Sequence, residues 1–280
     1  MSAVLVAGAA GQQHWPATDP TNKAGYVPFA PMTDEFDETA LDISKWSFNV
    51  GWKGRAPGLF DPANVEVSNG TLKMHARHAQ LNASQSAGGF GNYTTAAIHS
   101  VNQTAYGYFE VRSRSGSDKV SSSWWFHQNN GTAWTEIDVF ESTGTMATGS
   151  FPQQLNTHTH IFYIDGVNSS TIEKECGCKV GKQGSSAPCS YGKTQILPFN
   201  MSDGFHVFGL SWDPETINVY VDAKLWYTQT HHCMTQQIGM DFDRETMPGW
   251  FWPENAPSGL PLGEPFEVDY VRAWKLPGRL

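Results

Sequence analysis

Three carboxylates stand within six residues in Trp134-Thr-Glu136-Ile-Asp138-Val-Phe-Glu141-Ser142. The chain around them is poor in charge, with Asp, Glu, Lys and Arg making up only 16% of it. Glu136, Ile137, Asp138 and Val139 alternate acid with apolar, and a period of two is the pattern of a β-strand. On such a strand Trp134, Glu136 and Asp138 share one face, and Thr135, Ile137 and Val139 share the other. Strict continuation would place Phe140 on the acid face and drive Glu141 into the core, where an unpaired carboxylate costs several kcal/mol. One extra residue, a β-bulge near Val139 and Phe140, returns Glu141 to the acid face.

Two carboxyl groups flanking a bond, one ionised and one protonated, are the apparatus of glycoside hydrolysis. Residues i and i+4 on a flat strand lie too far apart for this. The bulge draws Glu136 and Glu141 toward the roughly 5–5.5 Å that retention of configuration requires. Asp138 between them can hydrogen-bond one glutamate, fix its rotamer and hold the proton distribution. The competing reading is a calcium site, but cation loops favour Gly, Asn and Asp turns over an apolar-spaced strand.

Sugar sites also need aromatic platforms. Trp134 lies on the acid face, and Trp124 and Trp125 end the preceding strand. Trp52 with Arg55, and Trp250 with Trp252, lie in Gly/Pro loops where no core is expected. Core packing is the ordinary role of any one Trp; eleven in 280 residues, several in loops, turn the loop members toward sugar binding. His158 and His160 share a strand face near the acids, where one can contact substrate; as metal ligands they lack a third partner.

These groups need a scaffold of strands. Residues 1–25 read as a loosely ordered lead-in and 26–280 as one catalytic domain, within the size of a single sandwich or barrel. Residues 64–77 form a hairpin around Asn69-Gly70, whose residues suit a φ > 0 turn. Strands follow at 95–101, 106–115, 121–126, the acid strand, 156–162, 205–212 and 216–221. A turn at 221–224 leads into Leu225-Trp-Tyr, and Phe266–Trp274 closes the chain. Residues 165–195 read as a long cysteine loop and 247–254 as an aromatic loop. With no amphipathic helix and no repeat, the pattern predicts an all-β fold, a curved two-sheet β-sandwich or jelly roll with the acids in a concave cleft.

The net charge of −9 argues against nucleic acid and, less strongly, against a polyanionic substrate. No apolar run reaches 18 residues, so no membrane partner is expected, and the chain reads as a monomer. Sequons begin at Asn69, Asn82, Asn92, Asn102, Asn130, Asn168 and Asn200, half of the fourteen asparagines, which points to a glycosylated secreted protein. Four cysteines fit two disulfides. Cys176 and Cys178 are too close to bridge each other comfortably, so each is expected to pair with Cys189 or Cys233. A zinc site competes, without the usual Cys-x2-Cys spacing.

Glu136-Ile-Asp-Val-Phe-Glu141 resembles the bulged signature of glycoside hydrolase family 16, as in agarases, porphyranases, κ-carrageenases and laminarinases. The resemblance runs from about Phe29 to Lys275. It includes Trp52-Lys-Gly-Arg55-Ala-Pro-Gly-Leu-Phe60, Asn64-Val-Glu-Val-Ser-Asn-Gly70, Tyr106-Gly-Tyr-Phe-Glu110, Ser122-Ser-Trp-Trp125-Phe and Val268-Asp-Tyr-Val-Arg-Ala-Trp274. The resemblance implies a β-jelly roll and retaining endo-hydrolysis of β-1,4 or β-1,3 glycans, and the likeness to the agarase/porphyranase branch implies a β-linked galactan. Glu136 would be the nucleophile, Glu141 the acid/base and Asp138 the assisting acid. Trp52, Arg55, Trp125, Trp134 and His160 would line subsites, with Glu254 a further member. No cofactor is implied for catalysis; a structural calcium is, with Glu35, the Gly70 carbonyl and Asp269 as its ligands. The cysteine loop and the sequons depart from bacterial galactanases and suggest a eukaryotic source. A β-glucanase or cell-wall transglycosylase of the same fold, and a non-catalytic lectin-like domain, are the rival functions.

Overall fold

The computed structural model describes residues 14–131, 133–145, 152–164, 174, 189–230, 234–252 and 259–276. In chain order the strands are β1 (Val27–Pro28), β2 (Trp46–Ser47), β3 (Gly58–Phe60), β4 (Val65–Ser68), β5 (Thr71–Met74), β6 (Arg77–His78), β7 (Tyr93–Thr95), β8 (Ala97–Thr104), β9 (Gly107–Arg114), β10 (Ser122–Asn129), β11 (Ala133–Ser142), β12 (Gln154–Ile164), β13 (Cys189–Ile196), β14 (His206–Trp212), β15 (Thr216–Val221), β16 (Lys224–Thr230), β17 (Ile238–Asp243) and β18 (Phe266–Lys275). Fifteen of them form two large sheets, and β3, β7 and β6 form a small third one. The outer runs β16-β15-β14-β9-β18-β5-β4, with β1 beside β18, and the inner runs β13-β12-β11-β10-β17-β8-β2. Among the described residues no helix is long and apolar enough to cross a membrane.

Alternation along the strands explains why the sheets stack. The inner sheet turns Trp124, Phe126, Ile137, Met240 and Phe242 to the core, and the outer sheet turns Phe109, Val111, Phe208, Leu210 and Phe266 to meet them. Rings touch across the layer, Phe109 to Phe126 at 4.9 Å and Phe140 to Phe208 at 4.7 Å between centroids. Burying each such side chain contributes about 1.5–3 kcal/mol. The opposite face of the inner sheet is left free for polar side chains, and β11, β10 and β17 run through its centre.

The all-β sandwich read from the sequence is the fold found. The Asn69-Gly70 hairpin joins β4 to β5 with φ of 54° and 75°, and the 221–224 turn carries Asp222 and Ala223 at 48° and 63°.

Three regions differ from expectation. Residues 14–25 are not a loose lead-in but lie across the outer sheet. The Ala17 N–H donates to the buried Glu110 carboxylate at 2.7 Å, the Trp274 indole N–H donates to the His14 carbonyl, and the Tyr26 ring meets Tyr108. The cysteine loop ends in a strand, β13, whose Gly, Lys and exposed polar residues suit an edge with one neighbour. The third is β17, which lies buried between β10 and β8.

Candidate active site

The ladder slips on both sides of β11 at the same place. On β10, Trp125 pairs with Asp138 and Trp124 with Phe140; on β12, His158 faces Asp138 and Asn156 faces Glu141. Val139 is therefore the extra residue of a β-bulge, where the sequence required one. Val139 and Phe140 are both buried in the core. Trp134, Glu136, Asp138 and Glu141 line a cleft of about 600 Å³ on the free face, together with Trp52, Arg55 and Trp125.

Asp138 is the hinge of the group. Single carboxylate oxygens of Glu136 and Asp138, with a His160 ring nitrogen, lie within 4.8 Å of one another, and so do ligand atoms of Asp138, Glu141 and His158. His160 Nε2 is 3.3 Å from Asp138 Oδ2 and 3.9 Å from Glu136 Oε1, while its Nδ1 lies 2.6 Å from Ser190 Oγ. The His158 and His160 rings stack at 5.8 Å. His158 has this room because Gly192 faces it on β13; a Cβ there would lie 2.0 Å from the ring. Burial lowers the His158 pKa below its ordinary value.

Burial also raises Glu136 well above the usual carboxylate range, and the neighbouring Asp138 and then Glu141 raise it further. Glu141 is raised well above that range by burial, then by Asp138, Asp243 and Glu245, with Arg55 opposing. Carboxyls crowded in this way share protons, so that one can be charged while another is an acid.

A second acid row faces the first, and sequence reading missed it. β17 and the residue pair after it carry Asp241, Asp243 and Glu245, again spaced by two. Asp241 is 1% exposed and bridges two imidazoles, with His99 Nδ1 at 2.9 Å and His127 Nδ1 at 2.8 Å. Burial works against protonation of His99, but the hydrogen bond and charge of Asp241 prevail and raise its pKa. Gly239 makes space for that ring, since a Cβ there would lie 2.2 Å from it. Asp243 accepts the Trp125 indole N–H at 2.9 Å and is raised well above its ordinary pKa by burial and then by Glu245. Glu245 accepts the Trp52 indole N–H and one Arg55 N–H, each at 3.3 Å. His99, His127 and Asp241 could also group around a metal ion, but their hydrogen bonds to one another already employ both Nδ1 atoms. The signal was present in Met240-Asp-Phe-Asp-Arg-Glu245, which repeats the acid alternation of β11.

The aromatic residues divide. Trp52, Trp125 and His127 form one continuous wall, with Trp52 and Trp125 centroids 5.5 Å apart and Trp125 stacked on His127 at 4.7 Å. Trp134 stacks on Phe162 at 4.0 Å. Trp124 belongs to the core, and Trp252, expected in a sugar-binding loop, is 1% exposed and packs on Tyr93. His160 lies beside the acids rather than along the cleft wall. Glu254 lies outside the described residues; the acid brought to that wall is Glu245.

The expected calcium ligands do not fit a cation. Glu35 is paired with Arg272 through two hydrogen bonds of 2.8 Å, and Asp269 with Arg112 at 2.6 Å. A guanidinium already neutralises each carboxylate, and Gly70 lies at a hairpin tip. Cys189 is buried at the start of β13, while Cys176, Cys178 and Cys233, and with them the expected pairings, lie outside the described residues.

Residues 26–276 match the family described as Beta-porphyranase A-D, GH16 domain. The chain is 30% identical over 207 residues to β-porphyranase E of Zobellia galactanivorans, covering 70% of this chain and 67% of that one. It is 25% identical over 285 residues to the κ-carrageenase of Pseudoalteromonas carrageenovora, covering 88% and 64%. The chain thus spans about two thirds of the length of these relatives. The crystal structure of porphyranase B from Zobellia galactanivorans superposes with a TM-score of 0.75 at 23% identity, covering 89% of this chain and 92% of that one, which shows the shared fold. With the bulged acid strand and the family match in agreement, the chain belongs to glycoside hydrolase family 16, in the group of the β-porphyranase A–D domains.

Proposed function

We propose that the protein is a retaining, endo-acting glycoside hydrolase that cleaves a β-linked galactan of the agar, porphyran or carrageenan type. The observation that carries this reading is the Val139 bulge, which sets Glu136, Asp138 and Glu141 on one face of an aromatic-walled cleft. The names of the relatives, porphyranase and carrageenase, supply the substrate class.

The reaction runs in two displacements. Charged Glu136 attacks the anomeric carbon as Glu141 gives its proton to the departing glycosidic oxygen, leaving a glycosyl ester on Glu136. Glu141, now ionised, takes a proton from water, and the water oxygen attacks the same carbon and frees Glu136. Asp138, close to both, holds the nucleophile's rotamer and the shared proton. His160 at 3.3 Å keeps Asp138 in place. Trp52, Trp125 and Trp134 offer ring faces to the sugars; Glu245 just after β17 holds the Trp52 indole, Asp243 of β17 holds that of Trp125, and Phe162 of β12 stacks on Trp134. No step draws on a cofactor.

The protein acts as a secreted, glycosylated monomer with its cysteines oxidised. Exposure of Asn69, Asn82, Asn92 and Asn130 supports the glycosylation. The test is release of reducing ends from agarose, porphyran, κ-carrageenan, laminarin and mixed-linkage glucan, with Glu136→Gln as control. Turnover of a galactan, abolished in the variant, is expected. Turnover of the glucans alone would make it a β-glucanase, and binding without turnover of any glycan would make it a lectin.

A further inference from the structure

On the opposite side of β11 from His158 and His160, two imidazoles are held by one acid. Asp241, 1% exposed, meets His99 Nδ1 at 2.9 Å with one oxygen and His127 Nδ1 at 2.8 Å with the other. The three residues come from the adjacent strands β8, β17 and β10. An ionised carboxylate is an acceptor only, so each ring carries its hydrogen on Nδ1. In a neutral ring that leaves a lone pair on Nε2. Among the described residues neither Nε2 has a hydrogen-bond partner, and both rings line the cleft.

The fold makes room for this arrangement. Gly239 leaves its side-chain position on β17 to the His99 ring, since a Cβ there would lie 2.2 Å from it. A buried carboxylate costs several kcal/mol unless fixed donors meet it. Apolar residues at these positions would hold three strands together without that cost. The trio also uses only half of what each imidazole can bond. The unused halves lie beside aromatic faces. His127 stacks on Trp125 at 4.7 Å and meets Trp52 edge-on at 5.7 Å. The His99 and His127 centroids are 5.3 Å apart, within the breadth of one pyranose and its hydroxyls. The amides of Asn49 and Gln103 line the same end of the cleft. Ring faces hold the apolar side of a sugar, but only directional acceptors fix how its O–H groups are turned.

We infer that His99 and His127 form a sugar-binding subsite, each accepting a hydroxyl proton of the galactan through Nε2, and that Asp241 is the positioning residue that fixes both acceptors. This rests on the galactanase reading above and adds orienting polar groups to its aromatic wall.

The test is long-range proton–nitrogen NMR of the imidazoles in the Glu136→Gln protein, at a pH alkaline enough to leave imidazoles neutral. Tetrasaccharides prepared from agarose, porphyran and κ-carrageenan are the probes. His99→Asn and His127→Asn assign the signals; each amide keeps a donor for Asp241 and deletes Nε2. The free protein should show hydrogen on Nδ1 of both rings, and a bound tetrasaccharide should shift both Nε2 signals. In Asp241→Asn the amide offers one acceptor and one N–H2 group, so one ring should move its hydrogen to Nε2. In the active enzyme each of the three variants should raise KM on the cleaved galactan about three- to tenfold, the size of one lost hydrogen bond. The kcat should stay within about twofold, the mark of a binding interaction. Tetrasaccharide binding that leaves both Nε2 signals in place, or variants that lower kcat at unchanged KM, would overturn the inference and leave the galactanase reading standing. Binding of none of the three tetrasaccharides, with no galactan cleaved, would bring down that reading and this inference with it.

Discussion

The inner sheet carries two rows of three acids, alike in composition and different in fate. On β11, Glu136, Asp138 and Glu141 stand around a bulge, with His160 beside Glu136 and Asp138 and His158 beside Asp138 and Glu141. On β17 and just beyond it, Asp241, Asp243 and Glu245 follow regular alternation, and Asp241 and Glu245 are tied through both oxygens, by two imidazoles and by an indole and a guanidinium, while Asp243 is held by an indole on one oxygen only. A carboxylate whose lone pairs are taken by fixed donors is scaffold. A carboxylate left with open lone pairs and crowded by like charge can give up or take a proton. The spacing of acids along a strand selects which face they occupy, and the donors brought by neighbouring strands decide whether they act or hold.

The comparison breaks first if the two rows are interchangeable. Glu136→Gln and Glu141→Gln should each lower kcat at least about 10³-fold with the fold intact by circular dichroism, in keeping with loss of a reacting carboxyl. Glu245→Gln should retain a measurable fraction of turnover. Equal losses in both rows would end the distinction.

A second test strikes the support of the tied row. Arg244 points away from the cleft between Asp243 and Glu245, fully buried, and pairs with buried Asp118 while donating to the Ser121 carbonyl. Asp118→Asn leaves that guanidinium buried without its charge partner, and should cost about 3–5 kcal/mol in urea unfolding. A loss below 1 kcal/mol, the ordinary value for a surface pair, would show that β17 needs no such anchor.

Asp138→Asn should lower kcat by roughly 10–100-fold with little change in KM if, as proposed, Asp138 positions and shares protons without forming a bond to substrate. A loss as large as that of Glu136→Gln would move Asp138 among the reacting groups.

The smallest effect tests how the rows speak to each other. Glu141 must be protonated to act as an acid, so its activity disappears as pH rises through its pKa. Burial raises that pKa, and Glu245 is among the charges that raise it further. Glu245→Gln removes one of those charges and releases Arg55, which opposes, so the alkaline limb of kcat/KM should move to lower pH. A limb that stays or moves upward would sever the electrostatic link between the rows.

Much of this was written in the sequence. The β11 strand shows because acid and apolar residues alternate in a charge-poor chain, and the bulge shows because a regular strand would bury Glu141. β17 has the same acid alternation, but its strand pattern is masked. Arg244 stands at an inward position, where an apolar residue would mark a strand, and its partner Asp118 is 126 residues away. Gly239 weakens the strand pattern further, although its place is fixed by the His99 ring. Trp252 misleads for a related reason. It lies in a Gly/Pro-rich loop, yet Tyr93 from a different strand folds over it, and nothing local foretells that. Residues 14–25 read as a tail because they hold few apolar residues. They are fastened instead by single polar contacts to Glu110 and Trp274. Local pattern thus reveals the strand that gathers acids on one face, while long-range donors that decide which acids are tied remain hidden.

The most direct test of the central claim is the configuration of the first product. The proposed double displacement passes through a covalent glycosyl ester on Glu136 and makes two inversions at one carbon. Proton NMR of a β-linked galacto-oligosaccharide during the first minutes of cleavage should show the β-anomer of the new reducing end appearing first, with the α-anomer growing in only by mutarotation. Initial appearance of the α-anomer would mean a single inversion by water, and would contradict the assignment of Glu136 as nucleophile.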